Sequence, residues 1–332
     1  MNSKTEKSFP ENDRESVLRE IEVLRKERKA VLLAHNYQLP EIQDIADFTG
    51  DSLELSMRAA KTDAEVIVFC GVLFMAETAA ILSPAKTVLL PRLDAGCPLA
   101  DMITPEALQN KFAELGDLPT VIYVNSPASV KALSTICCTS ANSVEVVESL
   151  AEDEIMMGPD RNLALYTASK TGKKIHPWQG ACPVHDQVTA DDARAAKAAH
   201  PEALLLAHPE CRPEVLALAD VVAGTAGMLK FVKRSAHQSF IIGTEEGHIY
   251  PLQKANPDKT FFKMPKPMVC RDMKRIRLTD VLASLQTMTH KIKLSENIRL
   301  PAYQAVQRML EVTGNSKRHE QKGGRNVKTR IN

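Results

Sequence analysis

What most limits the folds open to this chain is an internal repeat with a period of about 86 residues. Its first landmark is a short apolar run ending in a polar cluster: VLLAHNYQ (31–38), VIYVNSPA (121–128) and LLLAHPEC (204–211). Such runs predict strands that deliver His35, Asn125 and His208 at their C-terminal ends. The second landmark, TGDSLELS, CTSANSVEVV and AGTAGMLKFV, sets Ser52, Ser140 or Thr225 just ahead of a helical apolar pattern. It predicts an N-cap hydroxyl and a helix start whose free N–H groups suit phosphate or carboxylate. A second strand follows (AEVIVFCG, DEIMMGPD, SFIIGTEEG), then a third (TVLLPRLDAGC, KKIHPWQGAC, TFFKMPKPMVC). Every copy closes on a cysteine, at Cys97, Cys182 and Cys270.

Strands alternating with helices predict an α/β fold of short parallel sheets. The expectation is three similar three-layer α/β domains in a pseudo-threefold arrangement around a central active site. Parallel sheets present ligand groups at strand C-terminal ends. Three copies can therefore aim those ends, and the three cysteines, at one cavity. The expected domains are 15–97, 98–182 and 183–270. Leu18, Ile21 and Leu24 recur at helical spacing between charges, and 275–312 is again helical by pattern. These C-terminal helices are expected to complete the first domain. Residues 1–14 and 313–332 are polar and aperiodic, which predicts disordered tails.

A formal net charge of +1, with 44% apolar and 25% charged residues, gives no electrostatic reason for nucleic acid or an anionic membrane as a partner. The opening MNSKTEKSFPENDRES lacks the apolar core of a secretory signal, and no run approaches the ~20 apolar residues of a bilayer span. A cytoplasmic location is expected. There the 7 cysteines should not form a disulfide framework. No C-x-x-C occurs, so a metal site must be assembled from distant segments. Cys70, Cys137 and Cys138 read as buried thiols, Cys211 as a thiol bordering the site next to Glu210 without being a ligand, and His185 as an orienting or surface histidine. His176, His237 and His248 have no converging partners and no assigned role.

Three converging thiolates leave two metal chemistries open. Catalytic zinc would suit a lyase or hydrolase, although such zinc usually takes at least one His. A 4Fe–4S cluster usually takes four cysteines; with three, one iron stays open as a Lewis acid for dehydration. His35, Tyr37, Tyr123, Asn125, His208 and Glu210 supply acid–base groups and orienters at strand ends, while Ser52, Ser140 and Thr225 would anchor anionic groups. A non-catalytic anion-binding protein would use the helix starts alone. The His35–Tyr37 and His208–Glu210 pairs favour an enzyme.

The runs AHNYQLPEIQDIADFTGDSLELS, CGVLFMAETAAIL, LLPRLDAGCPLADM, CTSAN, GPDRNLALY, GACPVHD, AHPEC and TEEGHIYPLQKANPDK resemble the quinolinate synthase family across roughly residues 17–312. The resemblance implies one 4Fe–4S cluster per chain, held by Cys97, Cys182 and Cys270, with one iron open to substrate. It also implies condensation of iminoaspartate with dihydroxyacetone phosphate to quinolinate, with loss of phosphate and water, at the start of NAD synthesis. An aspartate-oxidising enzyme would supply the iminoaspartate, transiently as a partner. By the same resemblance Tyr37 and Glu210 share acid–base work beside His35 and His208. Ser52, Tyr123, Asn125, Ser140 and Thr225 join His35, His208 and Glu210 in contacting substrate. Two departures stand out. The family's G-S-T-S stretch reads Ala223-Gly224-Thr225-Ala226, so a hydroxyl gives way to glycine. The C-x-x-C-x-x-C run of some members reads CRDMKRI, leaving Cys270 alone there.

Overall fold

The computed structural model describes residues 11–116 and 118–326. Its strands form three parallel sheets of four, each built the same way. The first contains β1 (Ala30–His35), β2 (Phe48–Gly50), β3 (Val66–Cys70) and β4 (Thr87–Leu89). The second contains β5 (Thr120–Tyr123), β6 (Ile136–Cys138), β7 (Glu154–Gly158) and β8 (Lys174–Pro177). The third contains β9 (Leu204–Ala207), β10 (Val221–Val222), β11 (Ser239–Gly243) and β12 (Thr260–Lys263). Strand orders are β2-β1-β3-β4, β6-β5-β7-β8 and β10-β9-β11-β12. The chain thus reverses direction across each sheet between its first and third strands, the place where parallel sheets bind ligands.

The repeat extends to single hydrogen bonds. Asp47, Thr135 and Asp220 each precede an edge strand, and their side chains accept the N–H of Leu32, Thr120 and Leu205 at 2.8, 3.0 and 2.7 Å. Their own backbone N–H groups donate back to the carbonyls of the same three residues. Sequence reasoning found three strands per unit and missed this edge strand, because β2 and β6 span 3 residues and β10 only 2. Runs so short carry no readable period. The central strands are easier to read: β3 is buried throughout and β1 almost so, since helices cover both sheet faces.

The terminal helices differ in where they pack. Leu278–Thr287 lies on the N-terminal helix Glu11–Glu27 and on β3. The long helix Glu296–Asn326 instead bridges two units, packing on Leu73–Leu82 of the first and on Ala128–Lys131, β6 and Ser143–Glu148 of the second. Its fully buried Ala302, Ala305, Val306 and Met309 form one helical stripe, whose small residues permit close approach. Asn142 caps the arrangement by donating to the Thr313 hydroxyl at 2.9 Å. Residues 11–14 and 313–326 are helical where the sequence suggested disorder, because extending an anchored helix adds one bond per residue fixed. The expectation for 1–10 and 327–332 lies outside the described residues.

One continuous apolar core joins the first and second units and the terminal helices. The third unit keeps two clusters of its own on the two faces of its sheet, one around Leu205, Ile241 and Met264, the other around Leu206, Phe240 and Ile242.

Candidate active site

The strand C-terminal ends converge on one small cavity of about 70 Å³, room for several waters or a small ligand. All twelve residues singled out in the sequence line it: His35, Tyr37, Ser52, Cys97, Tyr123, Asn125, Ser140, Cys182, His208, Glu210, Thr225 and Cys270. A wider cleft of about 670 Å³ shares Asp51 and Ser140 with it but contains no cysteine. Among the described residues no lysine or arginine lines the small cavity, so anions there must be held by neutral donors and helix starts.

Two strand ends use one backbone device. The Tyr37 N–H donates to His35 Nδ1 at 3.1 Å, and the Glu210 N–H to His208 Nδ1 at 3.3 Å. With Nδ1 engaged as acceptor, a neutral ring carries its proton on Nε2. Burial holds both histidines neutral, pushing each down to about 3. At the third strand end Asn125 Oδ1 is buried without a hydrogen bond, an acceptor set toward the cavity it lines.

From these groups runs a chain of hydrogen bonds. The Tyr37 hydroxyl meets Thr244 Oγ1 at 2.6 Å, and Thr244 Oγ1 meets His185 Nε2 at 2.9 Å. His185 Nδ1 lies 2.8 Å from Glu210 Oε2, and the imidazole stacks on His208 with centroids 4.6 Å apart. Tyr123 stands beside Glu210 and Ser140, and burial with the Glu210 charge keeps its phenol protonated. Burial opposes the Glu210 charge, but His208, His185 and Tyr123 outweigh it and hold the carboxyl low, at about 2. Burial and that same charge push Tyr37 well above its ordinary range, so it stays protonated. Sequence reasoning gave His185 only an orienting or surface role and overlooked Thr244. Their signals were the CPVHD turn, three residues past Cys182, and the polar GTEEG end of β11.

The helix starts are offset from expectation. Ser52 and Thr225 are first helical residues, capped by Asp51 and Gly224, and Ser140 lies ahead of the cap Asn142. Asp51 takes the cap because its carboxylate accepts the Glu54 N–H at 2.9 Å, closing a capping box. The hydroxyls are thereby left beside the cavity. Asn36 of the first unit donates to Thr225 Oγ1 of the third at 3.0 Å. At Gly224 a Cβ would stand 3.2 Å from Ser140 Oγ, so the missing side chain brings the second and third units together.

Cys97, Cys182 and Cys270 are free thiols reaching the cavity from three turns. They feel one another electrostatically, Cys97 with both of the others. Burial raises all three, Cys270 to about 11 and the others further. Backbone N–H groups two or three residues past each cysteine lower it in turn (Leu99 and Ala100, then His185, then Asp272 and Met273), and His185 Nδ1 lies 3.3 Å from Cys182 Sγ. Cys70, Cys137, Cys138 and Cys211 are buried and do not line the cavity. A second donor set, Cys182, His185 and Glu210, has ligand atoms within 4.8 Å of one another. Both nitrogens of His185 are already engaged there.

Of the unassigned histidines, His176 pairs with Glu154 at 2.6 Å and His237 is exposed. His248 is fully buried beside Thr225 and burial likewise holds it near 3, but neither ring nitrogen is hydrogen bonded.

Fold and cavity together define a class: an α/β enzyme made of three copies of one unit, whose strand ends enclose a thiol-lined acid–base site. The family model described as quinolinate synthetase A protein matches residues 19–311. The chain is 54% identical over 298 residues to a quinolinate synthase of Geobacter sp. (strain M21), covering 90% of this chain and 98% of that one. It is 52% identical over 296 residues to quinolinate synthase 1 of Methanosarcina acetivorans, covering 89% and 97%. The chain belongs to the quinolinate synthase family. No described helix is long and apolar enough to cross a membrane.

Proposed function

We propose that this enzyme condenses iminoaspartate with dihydroxyacetone phosphate to quinolinate, releasing phosphate and water. The observation that carries the reading is the Tyr37–Thr244–His185–Glu210 chain beside three free thiols in one buried cavity. Three free thiols that reach one cavity from separate turns, with backbone N–H groups nearby that favour the thiolate, suit a cluster whose ligands must be thiolates. When bound, a 4Fe–4S cluster on Cys97, Cys182 and Cys270 would supply an open iron as Lewis acid.

The chain's own groups divide the remaining work. Ionised Glu210 accepts a proton from substrate. The proton can pass through His185 and Thr244 to Tyr37, which donates to a departing hydroxyl. Neutral His35 and His208, both Nε2–H donors, hold carboxylate oxygens, and Asn125 Oδ1 accepts a substrate N–H. The Ser52 and Thr225 helix starts, with the Ser140 hydroxyl, take phosphate and carboxylate. Iminoaspartate would come from an enzyme that oxidises aspartate.

The test is anaerobic purification followed by an assay for quinolinate from the two substrates. A brown protein with about four irons per chain and activity lost in Cys182→Ser is expected. Stoichiometric zinc in a colourless, oxygen-indifferent enzyme would replace this reading with the zinc lyase. Unchanged ligand affinity in Cys97→Ala, with no turnover in either protein, would leave an anion-binding protein.

A further inference from the structure

The three cysteine turns can be superimposed hydrogen bond by hydrogen bond. After each third strand one backbone N–H donates to the carbonyl two residues before the cysteine: Leu73 to Ala95 at 2.8 Å, Arg161 to Gly180 at 2.8 Å, and Glu246 to Met268 at 2.9 Å. The residues just before these donors are therefore equivalent. They are Val72, Asp160 and Glu245, all almost fully buried.

We propose that Asp160 and Glu245 are positioning residues that fix the second and third cysteine turns through a carboxylate bond to the cysteine N–H, a bond the first turn lacks. The Asp160 carboxylate accepts the Leu163 N–H at 2.8 Å on Oδ1 and the Cys182 N–H at 2.9 Å on Oδ2. Glu245 accepts the Cys270 N–H at 3.1 Å on Oε1 and the Gly247 N–H at 2.7 Å on Oε2. Lys274 pairs with Glu245 at 3.0 Å and also donates to the Tyr37 carbonyl, joining the third turn to the acid–base chain. The Cys97 N–H has no hydrogen-bond partner among the described residues, and Val72 could offer none.

Burial pushes Asp160 up to about 8 and raises Glu245, against the backbone N–H groups that favour their ionised forms, and geometry explains why carboxylates stand here despite that cost. Each carboxylate binds two backbone donors at once. An amide has one acceptor oxygen and would turn its NH2 against the second donor. Outer partners that orient ligands commonly change metal retention 10- to 100-fold when removed.

This inference rests on the cluster reading, and the test separates the two. Amide hydrogen exchange on the folded, metal-free wild-type chain should show the Cys182 and Cys270 amides at least tenfold slower than that of Cys97. Asp160→Asn should speed exchange at 180–184 only, and Glu245→Gln at 268–272 only. After anaerobic reconstitution each variant should release iron to a chelator about 10- to 100-fold faster than wild type, with an altered EPR spectrum. Equal exchange at the three cysteines in wild type overturns the proposal, and so do folded variants with wild-type exchange and release. If wild type takes up no iron, the cluster reading fails, while the exchange data still decide this one. Should the variants fail to fold, the wild-type comparison decides it alone.

Discussion

His35-Asn36-Tyr37 and His208-Pro209-Glu210 occupy the same place in two copies of one unit, yet their chemistry is opposite. Both strand ends turn the same way, each with an N–H from two residues on donating to histidine Nδ1. The fold supplies this frame and two neutral Nε2–H donors. The residue at the end of the turn then decides polarity: a phenol that burial keeps protonated in the first unit, a carboxylate held ionised in the third. Repetition gives the scaffold, and one side chain per copy sets whether a proton is held there.

The sharpest way to break this division is Glu210→Gln, which keeps shape but removes the acceptor. Quinolinate formation should fall about 10²–10⁴-fold in kcat, and a loss under tenfold would remove Glu210 from that role. Tyr37→Phe tests the opposite strand end and should lower kcat about 10²-fold, with substrate affinity changed little. Thr244→Val interrupts the link between them at both the Tyr37 and His185 contacts. It should lower kcat about tenfold in the wild-type background and by much less in Tyr37→Phe, since groups acting as one unit are not additive. Equal losses in both backgrounds would separate Thr244 from the chain.

The smallest effect concerns what the two strand ends share. His35 and His208 lie near 3 in the folded protein against 6.5 unfolded, so the unfolded chain takes up protons first as pH falls. Their contribution to stability is complete above about pH 6.5 and is lost progressively toward 3. Buried His248, also near 3, adds to this side, while Asp51 and Asp160, pushed by burial up to about 6 and about 8, and Glu245, also raised by burial, act the other way. From pH 7.5 to 5 the thermal midpoint of the apo wild type should drop relative to that of His208→Gln, which lacks one of these histidines; parallel curves would remove His208 from this balance.

Much of this was legible in the sequence, for identifiable reasons. Central strands such as VLLAHNYQ are continuous apolar runs, and a repeat carries its own check, so the twelve residues that line one cavity could be grouped in advance. The edge strands were not legible because three residues set no period. Two helix caps were misread by one position, Asp51 and Gly224 standing where the neighbouring hydroxyls were expected, and the third by two, at Asn142. His185, Thr244, Asp160 and Glu245 stayed hidden because their partners are remote in sequence. His185 and Thr244, for instance, are 59 residues apart, and no local pattern encodes their contact.

The shared core also orders how the protein can be made. Both clusters of the third unit draw on residues between 184 and 268. The core joining the first two units needs Ala302, Ala305, Val306 and Met309, near the far end of the chain. On a ribosome the last-built sheet is therefore the first whose core has all its parts, while the two earlier sheets wait for the terminal helix with apolar surface uncovered. A chain halted before residue 296 would present that uncovered surface, although both faces of the third sheet, and the face of the second around Ile122 and Met156, would have their cores.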